Sequence, residues 1–94
     1  MKIGDKEYKP NITNRVIFDI EEHFNSEIMQ LMNNAVNLKT KDMAHLIHFS
    51  VRDDFDSFDD FVDKIELTQY VACATEVGSA MIKAFGLDKA AKKK

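Results

Sequence analysis

The sequence predicts a mainly α-helical fold, a short N-terminal β-hairpin followed by a compact bundle of four to five helices. Three observations predict it. Apolar residues recur at spacings of three and four along most of the chain. One proline and three glycines among 94 residues leave few interruptions to a helical hydrogen-bond ladder. Near the start, Gly4-Asp5 sits between two short arms and supplies the positive φ that a tight hairpin turn needs.

In the hairpin, Met1 to Ile3 is one arm and Lys6 to Lys9 the return. Ile3 and Tyr8 are its large apolar residues beside Met1, and a two-stranded hairpin is marginal alone, so it must lean on the helices. Pro10 ends the return arm. Thr13 is the expected N-cap of a first helix whose inner face carries Val16, Ile17, Ile20 and Phe24, with Glu21 and Glu22 toward water. Asn25-Ser26 breaks this pattern. Ser26 is the expected cap of a second short helix with the stripe Ile28, Leu31, Met32, Ala35 and Val36; the pattern fits two helices or one kinked helix.

Thr40 opens a third helix over about 41–52, with Met43, Ala44, Ile47 and Val51 inside and Asp42 in the first turn, where the helix dipole favours an anion. Residues 53–59 read as a loop dense in Asp and Phe. Ser57 and Asp60 resemble a capping box, with Asp in place of the usual Glu, ahead of a short fourth helix carrying Phe58, Phe61, Val62 and Ile65. The last helix has the longest stripe: Leu67, Tyr70, Val71, Ala74, Val77, Gly78, Met81, Ile82 and Phe85. Gly86 suits its C-terminal cap. Ala74 and Gly78 are small and one turn apart, so another helix can approach there. Residues 1–87 thus read as one helical domain, and 88–94 as a disordered basic tail.

Composition narrows the function. The charge is −3 and the pI about 5.5, with no basic stripe outside the last residues, so nucleic acid is not an expected partner. No apolar window reaches membrane-spanning length, and the first residues carry no apolar signal run. Cys73 is the single cysteine, which fits a reducing cytoplasm. It has no cation beside it in sequence and reads as an inert core thiol. His45 and His48 lie three apart on one helix, but no third metal ligand stands at useful spacing; both read as surface or core-edge residues. Six carboxylates lie between Asp53 and Asp63, yet a calcium loop counted from Asp54 would need Gly and Glu where Asp59 and Ile65 stand. With no phosphate-binding loop either, no catalytic or cofactor site is expected.

Protein binding remains. Met29 and Met32, with Met43 and Met81, read as core or as an adaptable apolar groove. Asp54, Phe55, Asp56, Phe58 and Asp59 form a candidate acidic–aromatic docking surface. Lys92, Lys93 and Lys94, with Lys89, form an opposite patch that can pair with it between subunits, giving rings or open spirals, or that simply solubilises the tail.

The order of features resembles a known family. Ile3-Gly4-Asp5-Lys6-Glu7-Tyr8 leads into Asn11-Ile12-Thr13-Asn14-Arg15-Val16-Ile17, then Asp19-Ile20-Glu21-Glu22-His23-Phe24, and a late amphipathic helix ends in Ala84-Phe85-Gly86. Across nearly the whole chain this is similar to the tail assembly chaperones of long-tailed bacteriophages and prophages, in their short, unshifted form. The resemblance implies a helical, self-associating protein in the cytoplasm of the bacterial host. It would coat the tape-measure protein, keep it soluble, help recruit tail-tube subunits, and be absent from the mature virion. The alternative is a small helical phage-encoded adaptor or inhibitor of a host protein.

The resemblance also implies a longer product made by ribosomal frameshifting. Lys92-Lys93-Lys94 would then mark an A-rich slippery run in the gene. Sequencing the coding DNA checks this: an uninterrupted A-run with an overlapping downstream frame is expected, and interrupted runs without such a frame remove the idea.

Overall fold

The structure, a computed structural model, describes residues 1–87; the tail expected at 88–94 lies outside the described residues. Strands β1 (Lys2–Ile3) and β2 (Lys6–Glu7) pair antiparallel, Lys2 opposite Glu7 and Ile3 opposite Lys6. Helices α1 (Asn14–Phe24), α2 (Ile28–Asn33), α3 (Thr40–Val51), α4 (Phe58–Lys64) and α5 (Tyr70–Ala84) follow. Single 3₁₀ turns occupy Ala35–Asn37, Arg52–Asp54 and Leu67–Gln69. The fold is the expected hairpin plus helical bundle. One core draws on every helix and on Met1 and Ile3 of the hairpin, with Ile20, Leu46, Ile47, Phe61, Val77 and Met81 sealed from solvent. Helix α3 is the hub, packing on α5, α1 and α4.

Local chemistry sets most boundaries. Thr13 Oγ1 accepts from the Val16 N–H at 3.2 Å, satisfying one of the amides that a helix start leaves unpaired. Asn25 ends α1 in the left-handed region, φ 51°, a conformation that asparagine tolerates better than most residues. Ser57 Oγ accepts from the Asp60 N–H at 3.0 Å. The reciprocal half of that expected box is redirected, since the Asp60 carboxylate accepts from the Asp56 N–H.

Several expectations change. Ser26 does not cap α2; its hydroxyl donates to the Phe24 carbonyl. Glu27 occupies the cap position without a side-chain bond, and Glu21 reaches across so that its carboxylate accepts from the Ile28 N–H at 3.0 Å. The stretch after Asn25 is a six-residue helix and a 3₁₀ turn, not one kinked helix. The cap before α3 is Lys39, with no side-chain bond. Leu67 falls in the 3₁₀ turn before α5. Val36, Val62, Leu67, Val71 and Phe85, expected inside, are exposed. Leu46 and Ser50 of α3 are buried beyond the expected face. The Ser50 carbonyl accepts from the Asn11 N–H at 2.8 Å, which ties the segment after the hairpin to α3.

The hairpin is fastened to the first half of α5 by polar rungs that the sequence pattern did not reveal. Gln69 Oε1 accepts from the Gly4 N–H at 2.8 Å, and its Nε2 donates to the Gly4 carbonyl at 3.0 Å. The same Oε1 accepts from the Glu66 N–H at 3.0 Å, completing a capping box with Glu66. Four residues on, the Cys73 thiol donates to the Lys2 carbonyl at 3.4 Å. Three further on, Glu76 accepts from the Met1 amino group at 3.0 Å. Gly4 has φ +61°, and a Cβ there would lie 3.0 Å from the Lys64 carbonyl oxygen that ends α4.

Gln69→Leu, which leaves the Gly4 N–H, Gly4 carbonyl and Glu66 N–H without their partner, is expected to cost about 1–3 kcal/mol. Gly4→Ala adds a left-handed backbone penalty of about 1–2 kcal/mol to the steric conflict at Lys64. Urea midpoints at unchanged m-value check both, and a midpoint equal to wild type for Gln69→Leu would remove the fastening role.

Candidate protein-docking groove

Helix α5 explains why one face of the bundle stays open. Tyr70, Cys73, Ala74, Val77, Gly78 and Met81 fill the inner arc of the helix. Val71 and Ile82 are apolar too, but they extend the stripe beyond the arc that α2 and α3 can cover. Val71 is 58% exposed and Ile82 only half-buried. Between this margin of α5 and the α2–3₁₀ segment lies a shallow groove. Ala74 and Gly78 line one side, and Met32, Ala35 and Val36 the other. A Cβ on Gly78 would sit 3.7 Å from the Met32 carbonyl oxygen and 3.8 Å from Ala35 Cβ, so the absent side chain is what sets the groove's depth. Thr75 and Ser79 are the exposed polar margin. No residue lining the groove carries a charge, in a chain where 31% of residues do. From Val71 to Ile82 the margin runs three helical turns, about 16 Å.

The residues singled out in the sequence do not meet in one place. Met29 is exposed and Met32 is buried, both on α2, and Met32 forms part of the groove wall. Asp54, Asp56 and Asp59 are exposed in the α3–α4 connection and the start of α4, and α4 rests on α3. Phe55 is buried against Tyr8 and Phe61, with ring centroids 5.0 and 5.4 Å away. Phe58 is half-buried and stacked on His45. These two aromatics cement α4 to the bundle and do not form an exposed docking strip. Lys92, Lys93 and Lys94 lie outside the described residues. Val36 and Val71 were missed as surface residues because helical periodicity reports a stripe, not how much of it neighbours cover.

A second cluster also went unread. His23 of α1 lies with its ring 4.4 Å from that of His45 on α3. His45 stacks parallel on Phe58 at 3.9 Å and 4°. His48 sits edge-on to Phe58 and tilted to Phe61, with its Nε2 buried and without a hydrogen-bond partner among the described residues. Burial pushes the His48 pKa below the ordinary value, and the neighbouring His45 and Arg52 push the same way. Burial also lowers His45, helped by His23 and Lys41 and opposed by Asp42. Among the described residues no group of three or more His, Cys, Asp or Glu side chains could hold a metal. Burial raises the Cys73 pKa, so the thiol stays protonated and weakly nucleophilic at neutral pH.

Gly78→Ala tests the geometry of the groove. Its Cβ meets only ordinary van der Waals neighbours, so the gain in helix propensity is expected to stabilise the fold by about 0.5–1 kcal/mol. A lowered urea midpoint would mean that α5 and the α2–3₁₀ wall stand closer than described. Compared with known proteins, the chain matches no family model, no curated protein and no solved structure.

Proposed function

We propose that this chain is a tail assembly chaperone of a long-tailed bacteriophage or prophage, acting by protein binding and not by catalysis. Its groove between α5 and the α2–3₁₀ wall takes an apolar stripe of the tape-measure protein. The observation that carries this reading is the uncharged, small-residue groove with Val36 exposed in its wall, and Val71 exposed on α5 one turn before Thr75. The family resemblance, which runs from the hairpin through the first helix to the late helix ending in Ala84-Phe85-Gly86, supplies the identity of the occupant. A tape-measure protein is a long helix whose apolar stripes aggregate when bare, and a groove lined by Ala74 to Ile82, about two helical turns, covers part of one such stripe. Weak single contacts become strong when copies line up along one partner, which gives self-association a purpose. In this role the protein works in the cytoplasm of the bacterial host, brings tail-tube subunits to the coated tape measure, and is absent from the finished virion. No helix among the described residues is long and apolar enough to cross a membrane.

Co-expression with segments of the tape-measure protein encoded nearby tests the proposal. Wild type is expected to hold the segments soluble and to co-purify with them. Val36→Asp and Ser79→Arg place a charge at exposed groove positions that carry none of the core. They are expected to fold normally and to bind about tenfold or more weakly, because a charge would be buried unpaired in the complex. Binding unchanged in both variants would remove the groove. Failure of wild type to solubilise any segment, with a host protein captured instead, would favour the adaptor or inhibitor reading.

A further inference from the structure

Two histidines of α3, His45 and His48, pack against Phe58 of α4, and His23 of α1 packs on His45. We propose that this imidazole–phenylalanine junction is a proton-operated latch: neutral rings hold α4 on α3, and protonation in mildly acidic solution frees α4. The argument starts from geometry. Helix α4 has seven residues, too short to persist without tertiary contacts. Its inner side is Phe58 and Phe61, and these meet His45 and His48 on α3. His23 of α1 closes on His45 from the other side. The junction is therefore made largely of groups whose charge changes between pH 5 and 8.

The charges around the rings decide the direction. From α1 come His23 and Asp19, and Asp19 is engaged with Arg52 at 2.6 Å. From α3 come Lys41 and Asp42 near His45, and from the 3₁₀ turn after it Arg52 near His48. From α4 come two uncharged rings, and Asp60 is paired with Lys64 on its own helix. Among these charged side chains, Asp42 favours a cation at His45, and the C-terminal turn of α3 weakly favours one at His48. The face of Phe58 attracts one imidazolium. That attraction is opposed by burial of both rings, then by the charges of His23 and Lys41 at His45 and of His45 and Arg52 at His48. His48 is worse placed, because protonation makes Nε2 a donor that is buried with no acceptor among the described residues. With neutral rings favoured in the fold, the folded state binds fewer protons than the unfolded one. Its stability is full above the unfolded histidine pKa of about 6.5 and is lost as pH falls through the lowered folded values.

Hydrogen exchange of the wild-type chain between about pH 8 and about pH 5, corrected for intrinsic rates, tests the latch. Protection of α4 amides is expected to fall about tenfold more than that of α5 amides. In His48→Phe the acid-induced loss should shrink and the urea midpoint at low pH should rise. Parallel loss in α4 and α5, or an undiminished acid response in His48→Phe, would overturn the proposal. If that variant does not fold, a histidine-resolved NMR titration of wild type decides. His45 and His48 titrating below the unperturbed value, with α4 resonances shifting in step, supports the latch. Titration at or above that value overturns it.

Discussion

The structure depends on the way residues at the start of α5 hold a hairpin that could not stand alone. Gln69, Cys73 and Glu76 are spaced by four and three, so they fall on one side of the helix. They meet Gly4, Lys2 and Met1 in reverse order. The first strand therefore runs antiparallel along the helix, and the Gln69 amide completes for Gly4 the pairing that a third strand would have supplied. These bonds span 65 to 75 residues of sequence, which makes the docking of the hairpin on α5 a tertiary event and not a local one. They also bring Ile3 into the core at 2% exposure. With its early turns occupied by the hairpin and its inner arc by α3, α5 leaves Val71 exposed and Ile82 half-buried as its large apolar side chains outside the core.

How much of this was legible in the sequence follows from range. The Gly4-Asp5 turn, the Thr13 and Ser57 caps and the inner arc of α5 are set by interactions within a few residues, and pattern reading recovers them. The Gln69 amide was hidden because one polar residue beside an apolar run looks like a solvated position. The spacing Glu66-x-x-Gln69 was the available clue, as a capping box in Glu/Gln form. The histidine cluster was unreadable for another reason. His45 and His48 share a helix, but His23 reaches His45 only through the packing of α1 on α3. Val36, Leu67 and Val71 failed in the opposite sense. Their spacing is that of core residues, and only the limited width of the neighbouring elements leaves them outside.

The two halves of the molecule use apolar surface differently. Around α4 the aromatic residues Tyr8, Phe55, Phe58 and Phe61 interlock with one another and with imidazoles, at centroid separations of 3.9 to 6.2 Å. Such contacts are directional and leave little freedom. Around α2 the groove floor is formed by the buried Met32, Ala35, Ala74 and Gly78, which are small or flexible and set few angular demands. Residues that bind sequence-varied partners are drawn from the second kind, while the first kind fixes geometry. Helix α3 joins them, since it packs on α5 and carries His45 and His48 toward α4.

The left-handed Asn25 and the borrowed Glu21 carboxylate bear on how the groove behaves. Helix α2 has six residues and no cap of its own; its first amide is satisfied from the preceding helix across a reversed peptide unit. The opposite side of the groove is the fifteen-residue α5, tied to the hairpin in its first half and packed on α3. The two sides therefore differ in length and in support, a short segment with a borrowed cap facing a long helix. For the proposed role, that asymmetry suits a rod whose girth changes from one turn to the next.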